Sequence, residues 1–400
     1  MTSEGGDADE WLADAGDERY FPLQCRRGET LLKDAMDAVR GASDDDLGRE
    51  LRVAFAGEPG VDEGGVRREF LELVAAKTFD EAHFDAVESS RLWFANADGA
   101  KLKTVQGLGS TPAEFVRFAG TLCGLALTHG HTLQSCRLPT VAYAAILAAR
   151  PADVDARARG AREAVALPTL LEYLAELDGG LAYGLRQLVD FEPPSAVEET
   201  FLYAFEWDGS ELFPGGASVA VTALNRRRFA RLVSLRLLGA RNALLRDFAA
   251  GFWRTGARAS TLHHLLGPAD LRDALEGRDA ALDWAELRPQ ARYDGWGAEP
   301  ELHPVISAFW ATLAALDEAE SKNLLKFVTG SAAAPIGGLA ALRPPQHAPF
   351  RIQRNGADSD HLPTTHVCFH TLLLPDYDPP TKLQRLLKRA IHECEGFGLR

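Results

Sequence analysis

The stretch LRVAFAGEPGVDEGGVRREFLEL, residues 51–73, predicts a strand, a turn and a helix in direct succession. Apolar residues in its first part alternate, as on the buried face of a half-exposed strand: Leu51, Val53 and Phe55. The run GEPGVDEGG that follows is rich in turn residues. Apolar residues then return with helical spacing and predict one buried helix face: Val66, Phe70, Leu73 and Val74.

The polar residues of the same stretch are interpreted as structural. Gly64 and Gly65 permit a turn that is closed to side chains, and Asp62 is placed to cap the helix. Arg67 or Arg68 can form ion pairs along the helix. None of these residues is predicted to be catalytic.

Length and composition are those of an ordinary globular protein. The chain has 400 residues, of which 46% are hydrophobic and 25% charged, and this allows two or three subdomains with cores of their own. The formal net charge of -14 opposes binding to phosphate backbones and to anionic lipid, because both require clustered Lys and Arg. Neither nucleic acid nor a membrane is therefore an expected partner.

Cysteine usage predicts a reduced protein. The five cysteines are widely spaced and form no CxxC pair of the kind found in zinc and thioredoxin-like sites. The first residues lack a basic region followed by an apolar run, and no apolar run approaches the roughly 18 residues of a membrane span. We expect a soluble cytoplasmic protein, and a nuclear location is compatible with the same features. Cys123 and Cys394 are interpreted as core residues, while Cys25 and Cys136 receive no role.

The chain changes character along its length. Residues 1–19 are acidic and Gly-rich, which predicts a disordered tail, and residues 149–166 are Ala- and Arg-rich, which predicts a surface insertion. Between them, residues 111–148 have the apolar spacing of core helices. Further on, two helices are predicted. They are followed by a strand in which aromatic residues alternate, namely Phe201, Tyr203 and Phe205, and then by a returning strand.

The C-terminal part predicts a small α/β unit. DEAESKNLLKFVTG begins with Asp317 and Glu320, which have the spacing of a capping box, and ends at Gly330. PFRIQR and VCFHTLLL are predicted strands. The last helix is predicted to bury one face: Leu383, Leu386, Leu387, Ala390, Ile391 and Cys394.

The segment LPTTHVCFH, residues 362–370, places Cys368 two residues from His366 and two from His370. These residues alone leave several interpretations open, the first being a buried core thiol. In an extended chain residues i and i+2 share a face, so an adjacent imidazole would lower the pKa of the thiol and favour a nucleophile. A metal site with His361, His366, Cys368 and His370 is less compatible with one strand, which does not easily build a tetrahedron. A cysteine hydrolase would need an Asn or Asp partner as well.

Three segments in this order resemble the HECT-type ubiquitin ligases: residues 51–73 quoted above, LLKFVTGSAAAPIGGL at 324–339, and LPTTHVCFHTLLLPDY at 362–377 with the terminal EGFGLR. The resemblance runs from about residue 20 to the end of the sequence. It implies an α+β fold with two lobes, a mostly helical N-lobe at 20–276 and a smaller α/β C-lobe at 280–400. The hinge between them would consist of Gly277, Arg278 and Asp279.

The resemblance implies that Cys368 accepts the C-terminal glycine of ubiquitin from a ubiquitin-conjugating enzyme as a thioester and passes it to a lysine of a protein substrate. His366 is a candidate for supporting the thiolate, and Phe397 matches a C-terminal aromatic residue that packs on the N-lobe during transfer. No metal or organic cofactor is implied. Some family members end in an acidic residue, whereas this sequence ends in Arg400, so the resemblance assigns no general base.

Two residues beside the cysteine depart from the family pattern. Val367 stands where the family usually has Thr, and His370 stands where it usually has Asn. These departures raise an alternative function, an inactive HECT-like module that binds a conjugating enzyme without transfer.

Within the N-lobe, the resemblance places the subdomain that docks the conjugating enzyme at about 175–250. Apolar residues of this subdomain fall where the family lines a hydrophobic groove: Leu181, Leu185, Phe201, Phe229 and Val233. Exposed apolar clusters of this kind form the cores of interfaces. The implied partners are a ubiquitin-conjugating enzyme, ubiquitin and a protein substrate.

Overall fold

The computed structural model of the chain describes most of the sequence, with gaps. The described residues are 19–58, 65–87, 90–95, 101–149, 165–258, 267–277, 282–330, 332, 334, 338–342, 350–367 and 370–393. The predicted tail, apart from Arg19, and most of the predicted insertion lie outside them. Within the described residues, no helix is long and apolar enough to cross a membrane.

Helices and strands are mixed along the chain. The α-helices of the described residues are α1 (Leu31–Gly41), α2 (Asp44–Leu47), α3 (Gly65–Thr78), α4 (Lys101–Gly107), α5 (Pro112–Thr128), α6 (Thr140–Ala148), α7 (Leu167–Leu177), α8 (Gly179–Asp190), α9 (Val197–Thr200), α10 (Arg226–Gly239), α11 (Asn242–Phe252), α12 (Pro268–Glu276), α13 (Pro304–Ala314), α14 (Glu318–Thr329) and α15 (Thr381–Glu393). The strands are β1 (Tyr20–Cys25), β2 (Glu50–Phe55), β3 (Phe84–Ala86), β4 (Leu92–Phe94), β5 (Glu206–Trp207), β6 (Ser210–Glu211), β7 (Arg292–Asp294), β8 (Arg351–Arg354), β9 (Thr364–His366) and β10 (Thr371–Leu374).

The chain divides into two compact units. Unit 1 combines the chain up to Lys77, the short segment Leu125–Ser135 and the chain from Arg272 onward. Unit 2 consists of Thr78–Gly124 and Cys136–Leu271. The mixture of helices and sheet confirms the α+β class. The two lobes and their boundary at 277–279 stay predictions.

The first strands of unit 1 form a parallel pair, with Tyr20 opposite Glu50 and Cys25 opposite Phe55. The alternating residues of β2 that were predicted to face a core are buried. On α3, Phe70 and Val74 are buried as predicted, whereas Leu73 is exposed. The buried face of α3 also includes Leu71 and Ala75. The helical repeat turns Leu73 away from that face.

A four-stranded sheet organises the C-terminal part of unit 1, in the order β7-β8-β10-β9. β7, β8 and β10 run parallel, and β9 is antiparallel to β10. α15 packs against α13 and α14. These elements enclose one core, which includes Trp284, Phe309, Phe350, Ile352 and Tyr377.

The ends of α14 agree with the sequence prediction. Asp317 Oδ1 accepts from Glu320 N at 2.8 Å, and Glu320 Oε2 accepts from Asp317 N at 3.2 Å, which completes the capping box. Gly330 ends the helix in the left-handed conformation, with a φ of 77°. Local signals therefore determined both ends of this helix.

In unit 2, α5 and α11 are in backbone contact. A Cβ atom on Gly120 would lie 1.9 Å from Phe248 O, and one on Gly251 would lie 1.8 Å from Arg117 O. Thr121 Oγ1 donates to Gly251 O at 3.1 Å. Only glycine permits so close an approach, so the two glycines set the distance between the helices.

The strands predicted around 201–220 are much shorter than expected. β5 and β6 have two residues each, and one isolated bridge pairs Ala204 with Ala220. The rings of Tyr203 and Phe205 instead pack on Phe229 of α10, with centroids 5.7 and 5.6 Å away. Extended backbone points alternate side chains to the same side, so this aromatic alternation serves packing on a helix as well as it would serve a strand in a sheet.

Candidate active site

The segment that carries Cys368 connects two strands of the unit 1 sheet. β9 ends at His366 and β10 begins at Thr371, and these two residues lie opposite each other in the ladder. His370 N donates to Val367 O at 3.2 Å and closes the connection. Cys368 and Phe369 lie between these two in sequence but outside the described residues. Residues of known position therefore flank the candidate nucleophile on both sides.

The prediction of one strand from Val367 to Leu374 was wrong at the described residues Val367 and His370, which lie outside any strand. Thr371–Leu374 form β10, and Cys368 and Phe369 lie outside the described residues. The reason is that β9 immediately precedes this segment, and neighbouring segments can pair antiparallel only through a turn. β9 ends at His366, and the prediction that His366 and Cys368 share a strand face involves a cysteine outside the described residues.

Hydrogen bonds hold this hairpin from both sides. Thr365 Oγ1 donates to Phe327 O of α14 at 2.9 Å. On the other strand, Arg351 N of β8 donates to His370 O at 3.1 Å. A loop on a supported sheet edge is a usual place for a reactive residue.

His370 is the buried imidazole of the turn. It is 6% exposed, and its Nδ1 has no hydrogen-bond partner among the described residues. Burial, and secondly the charge of Arg68, lower the pKa of His370 to about 4. Its side chain is therefore neutral at neutral pH. His366, which the resemblance favoured for thiolate support, is exposed, and its role stays a prediction.

Arg68 of α3 lies beside the same turn. The point that a Cβ of Gly330 would occupy is 3.2 Å from Val367 Cγ1 and 3.7 Å from Arg68 Nε. The guanidinium also acts electrostatically on His370. The sequence analysis considered only ion pairs along the helix and missed this contact.

Arg67, its neighbour, has a different environment. It is buried and donates to Leu51 O at 2.9 Å and to Glu50 Oε1 at 3.0 Å. The letters RR in GVRREF contain no signal that separates the two arginines, because only the packing of α3 on its neighbours does so.

Two further buried polar groups surround Arg68. Glu72 Oε1 and His131 Nε2 are buried and have no hydrogen-bond partner among the described residues. Burial raises the pKa of Glu72 to about 7, and the charge of Arg68 opposes the increase. Burial also lowers the pKa of His131, with Arg68 as the next cause. The Arg68 charge therefore acts on groups that are shielded from water, where its effect is stronger than on groups in bulk solvent.

The metal alternative receives no support from the described part of the chain. There, no group of three or more His, Cys, Asp or Glu side chains is arranged to hold a metal ion. That alternative also used Cys368, which the structure does not describe.

The predicted docking residues belong to one apolar cluster of unit 2, which runs from Leu171 to Val233. Leu185, Phe229 and Val233 are buried core residues, and Leu181 and Phe201 are partly buried against them. The first three cannot offer side-chain area to a partner. They form the core against which the partly buried residues of this cluster pack. The docking role of the five predicted residues stays a prediction.

The same part of unit 2 exposes other large apolar side chains. Leu202 is 89% exposed, Tyr203 50% and Leu224 98%. Leu202 and Tyr203 directly follow Phe201, and Leu224 lies two residues before the start of α10 at Arg226. The resemblance, which supplied the predicted docking residues, did not point to these three side chains.

The predicted hinge and anchor are described only at Gly277. Its φ of 83° is a conformation that favours glycine. Arg278, Asp279 and Phe397 lie outside the described residues, so their roles stay predictions.

Comparison with known proteins identifies related sequences. The HECT-domain (ubiquitin-transferase) family matches residues 73–400. The probable E3 ubiquitin-protein ligase HERC4 of Homo sapiens is 31% identical over 386 residues, which cover 93% of this chain and 32% of that protein. The probable E3 ubiquitin-protein ligase HECTD2 of Mus musculus is 30% identical over 394 residues, or 95% of this chain and 46% of the relative.

A more distant relative is the probable E3 ubiquitin-protein ligase HUL4 of Eremothecium gossypii. It is 28% identical over 395 residues, which cover 95% of this chain and 43% of that protein. The chain thus spans between about a third and just under a half of the length of these relatives.

Proposed function

This chain belongs to the HECT family of ubiquitin transferases, and we propose that it carries ubiquitin as a thioester on Cys368 before passing it to a lysine of a protein substrate. The observation that carries the proposal is the position of Cys368 in sequence, between the flanking residues of a supported hairpin turn. Our proposed partners are a ubiquitin-conjugating enzyme, ubiquitin and a substrate protein, and the proposed location is the cytoplasm.

The first step is a thioester exchange. The Cys368 thiolate attacks the carbonyl carbon of the thioester between ubiquitin and the conjugating enzyme, and the thiolate of that enzyme leaves. One thioester replaces another, so the free energy changes little. The chain has to supply an ionised thiol and to orient it. Orientation lowers the activation free energy by up to about 7 to 11 kcal/mol in well-aligned cases.

The second step is aminolysis. The uncharged amine of a substrate lysine attacks the thioester carbon and the C–S bond to Cys368 breaks as the isopeptide bond forms. The proton that the amine nitrogen releases is taken up by the departing Cys368 thiolate. A free lysine has a pKa near 10.4, so it must lose a proton before it attacks. With a pKa of about 4, His370 is a weak base for this purpose.

Arg68 supports the first step electrostatically. Its guanidinium lies beside the turn at Val367 and acts on His370. A fixed cation at this place favours a thiolate over a thiol and favours the negative charge that develops on the thioester oxygen.

The exposed apolar side chains of unit 2 support a docking surface for the conjugating enzyme. Leu202, Tyr203 and Leu224 are exposed, and Phe201 is partly buried beside them. Large apolar side chains at the centre of an interface contribute most of its binding energy. We propose that the conjugating enzyme binds these residues, with Leu185, Phe229 and Val233 as the core beneath.

An adduct assay tests the function. The chain is incubated with activating enzyme, a panel of conjugating enzymes, ATP and ubiquitin, and the products are separated with and without reductant. We expect a reductant-sensitive ubiquitin adduct that Cys368→Ala abolishes and Cys394→Ala retains. No adduct with any conjugating enzyme would contradict the proposal.

The departures at Val367 and His370 favour one alternative, a module that binds a conjugating enzyme without transfer. The buried, neutral His370 beside the cysteine is the specific observation behind it. Binding of a conjugating enzyme in a pull-down, without any adduct in the assay above, would decide for this alternative.

A further inference from the structure

Two cysteines outside the proposed active site are in contact in the core of unit 2. The Sγ atoms of Cys123 and Cys136 are 3.5 Å apart, and both residues are fully buried. Cys123 lies on α5, and Cys136 lies in the connection that leads to α6. Nothing in the spacing of the two cysteines along the chain indicates this contact.

Tyr143 of α6 holds Cys136 in this position. Its hydroxyl donates to the carbonyl oxygen of Cys136 at 3.3 Å and lies 3.7 Å from Cys136 Sγ. Tyr143 is itself fully buried, so its ring has little freedom to move. The Cys136 thiol is therefore kept facing Cys123.

We propose that Cys123 and Cys136 form a reversible disulfide when the protein meets a peroxide or a low-molecular-weight disulfide. A disulfide has an S–S distance of about 2.05 Å, so the two sulfurs must approach by about 1.5 Å. The inference is independent of the proposed ubiquitin transfer.

The chemistry balances with hydrogen peroxide as the oxidant. One thiolate attacks a peroxide oxygen, hydroxide leaves and takes up a proton, and a sulfenic acid forms on that cysteine. The second thiolate attacks the sulfenic sulfur, the S–S bond forms, and the sulfenic oxygen leaves as water. Two thiols lose two protons and two electrons, and the peroxide becomes two molecules of water.

The proposed disulfide would close a loop whose intervening residues make their contacts in unit 1. Both cysteines belong to unit 2, whereas the intervening residues Leu125–Ser135 belong to unit 1. Within unit 1, Leu133 N donates to Leu275 O at 2.6 Å, two residues before the predicted hinge begins. The cross-link would join the two points at which the chain leaves and re-enters unit 2, and so restrict this segment.

Cys25 provides an internal comparison. It is also buried, and burial followed by the charge of Asp34 raises the pKa of its thiol to about 12. Unlike Cys123 and Cys136, Cys25 has no second thiol in contact among the described residues, so nothing there would trap it as a disulfide and we expect it to stay reduced under mild oxidation.

A peptide map tests the proposal directly. Trypsin cleaves after Arg117 and Arg137, and residues 118–137 contain no other Lys or Arg, so one peptide holds both cysteines and no third. The Cys368→Ala chain is treated with peroxide, blocked with N-ethylmaleimide and digested. We expect this peptide to be two hydrogen atoms lighter and to carry no maleimide, and to carry two maleimides if dithiothreitol precedes the blocking. Cys25 should carry one maleimide in both cases.

Other products would overturn the proposal. If peptide 118–137 carries two maleimides while another thiol of the same chain has been oxidised, the pair does not form a disulfide. Sulfinic acid on either cysteine, or a mixed disulfide on only one, leads to the same conclusion. Oxidation is expected to raise the Tm of the Cys368→Ala chain, because a cross-link restricts the unfolded chain. Adding Cys123→Ala or Cys136→Ala should abolish that increase. The mass measurement needs neither variant and stands if they fail to fold.

Discussion

At the residue scale, His370 combines two unfavourable features. Its φ of 45° lies in the left-handed region, and its buried Nδ1 has no hydrogen-bond partner among the described residues. Asn, which the family usually has at this position, adopts left-handed backbone more readily than most residues. The exchange of Asn for His therefore adds a buried imidazole two residues after Cys368 in sequence, while the backbone keeps the left-handed conformation that Asn adopts more readily.

We predict that His370 makes stability depend on pH in the acid range. Its pKa is about 4 in the folded chain and about 6.5 when unfolded, so between these values the unfolded state binds more protons. The contribution of His370 to the free energy of unfolding thus rises with pH from about 4 to 6.5 and is lost on acidification. His129, whose pKa burial also lowers to about 4, adds a slope of the same sign. His370→Asn should reduce the total slope in urea denaturation. Gly356→Ala, which removes no titrating group, should shift the curve without flattening it.

Gly330 couples a helix end to the turn of Cys368. Its φ of 77° disfavours other residues, and a Cβ would lie 3.2 Å from Val367 Cγ1. We predict that Gly330→Ala lowers the free energy of unfolding by about 1 to 2 kcal/mol from backbone strain, with a further loss from the contact. It should also slow formation of the ubiquitin adduct, because Val367 has to move.

Gly356→Ala is the matched control for this variant. Gly356 has a φ of 85°, but a Cβ there would meet nothing within 4 Å. Gly356→Ala should lower the free energy of unfolding through backbone strain and leave the rate of adduct formation unchanged. Equal adduct rates in both variants would show that Val367 does not transmit the change.

At the scale of elements, unit 2 depends on glycines at which two helices touch. The contact between α5 and α11 brings Gly120 and Gly251 against carbonyl oxygens of the opposite helix. Backbone atoms cannot move aside as a side chain can, so any Cβ must push the helices apart.

Gly251→Ala is predicted to lower the free energy of unfolding by about 3 kcal/mol or more, since its Cβ would lie 1.8 Å from Arg117 O. Thermal or urea denaturation measures the change. Gly184→Ala in α8 is the control, because no atom lies within 4 Å of its added Cβ. It should stabilise the chain by about 0.5 to 1 kcal/mol through helix propensity. Similar effects of both variants would argue against the helix contact.

At the scale of the whole molecule, ubiquitin transfer needs a docking surface as well as a nucleophile. We propose that exposed apolar residues of unit 2 form this surface, and their burial differs from that of the residues chosen by resemblance. Exposure measured on the folded chain is the better criterion, because only exposed area can be buried again on binding.

Leu202→Glu is predicted to reduce the rate of adduct formation by about tenfold or more at limiting conjugating enzyme, as expected when an apolar residue is lost from an interface centre. Leu302→Glu is the matched control, since Leu302 is 74% exposed and lies in unit 1. It should leave the rate unchanged. A saturating concentration of conjugating enzyme should restore the Leu202→Glu rate, whereas a misfolded variant would stay slow.

The sequence by itself determined the local elements and predicted Cys368 as the nucleophile. The alternation in β2, the capping box of α14 with Gly330 at its end, and the buried face of α15 depend on residues a few positions apart, so patterns along the chain suffice. Cys368 and the family were likewise recognisable from short motifs. These features need no knowledge of which segments meet.

Only the tertiary structure decided which residues meet across the chain. It ended β9 at His366, placed Arg68 rather than Arg67 beside the turn, and buried Leu185 while leaving Leu202 exposed. It also brought Cys123 to within 3.5 Å of Cys136. The physical reason is that burial, charge coupling and sulfur contact depend on packing between distant segments, and one sequence contains no direct signal of that packing.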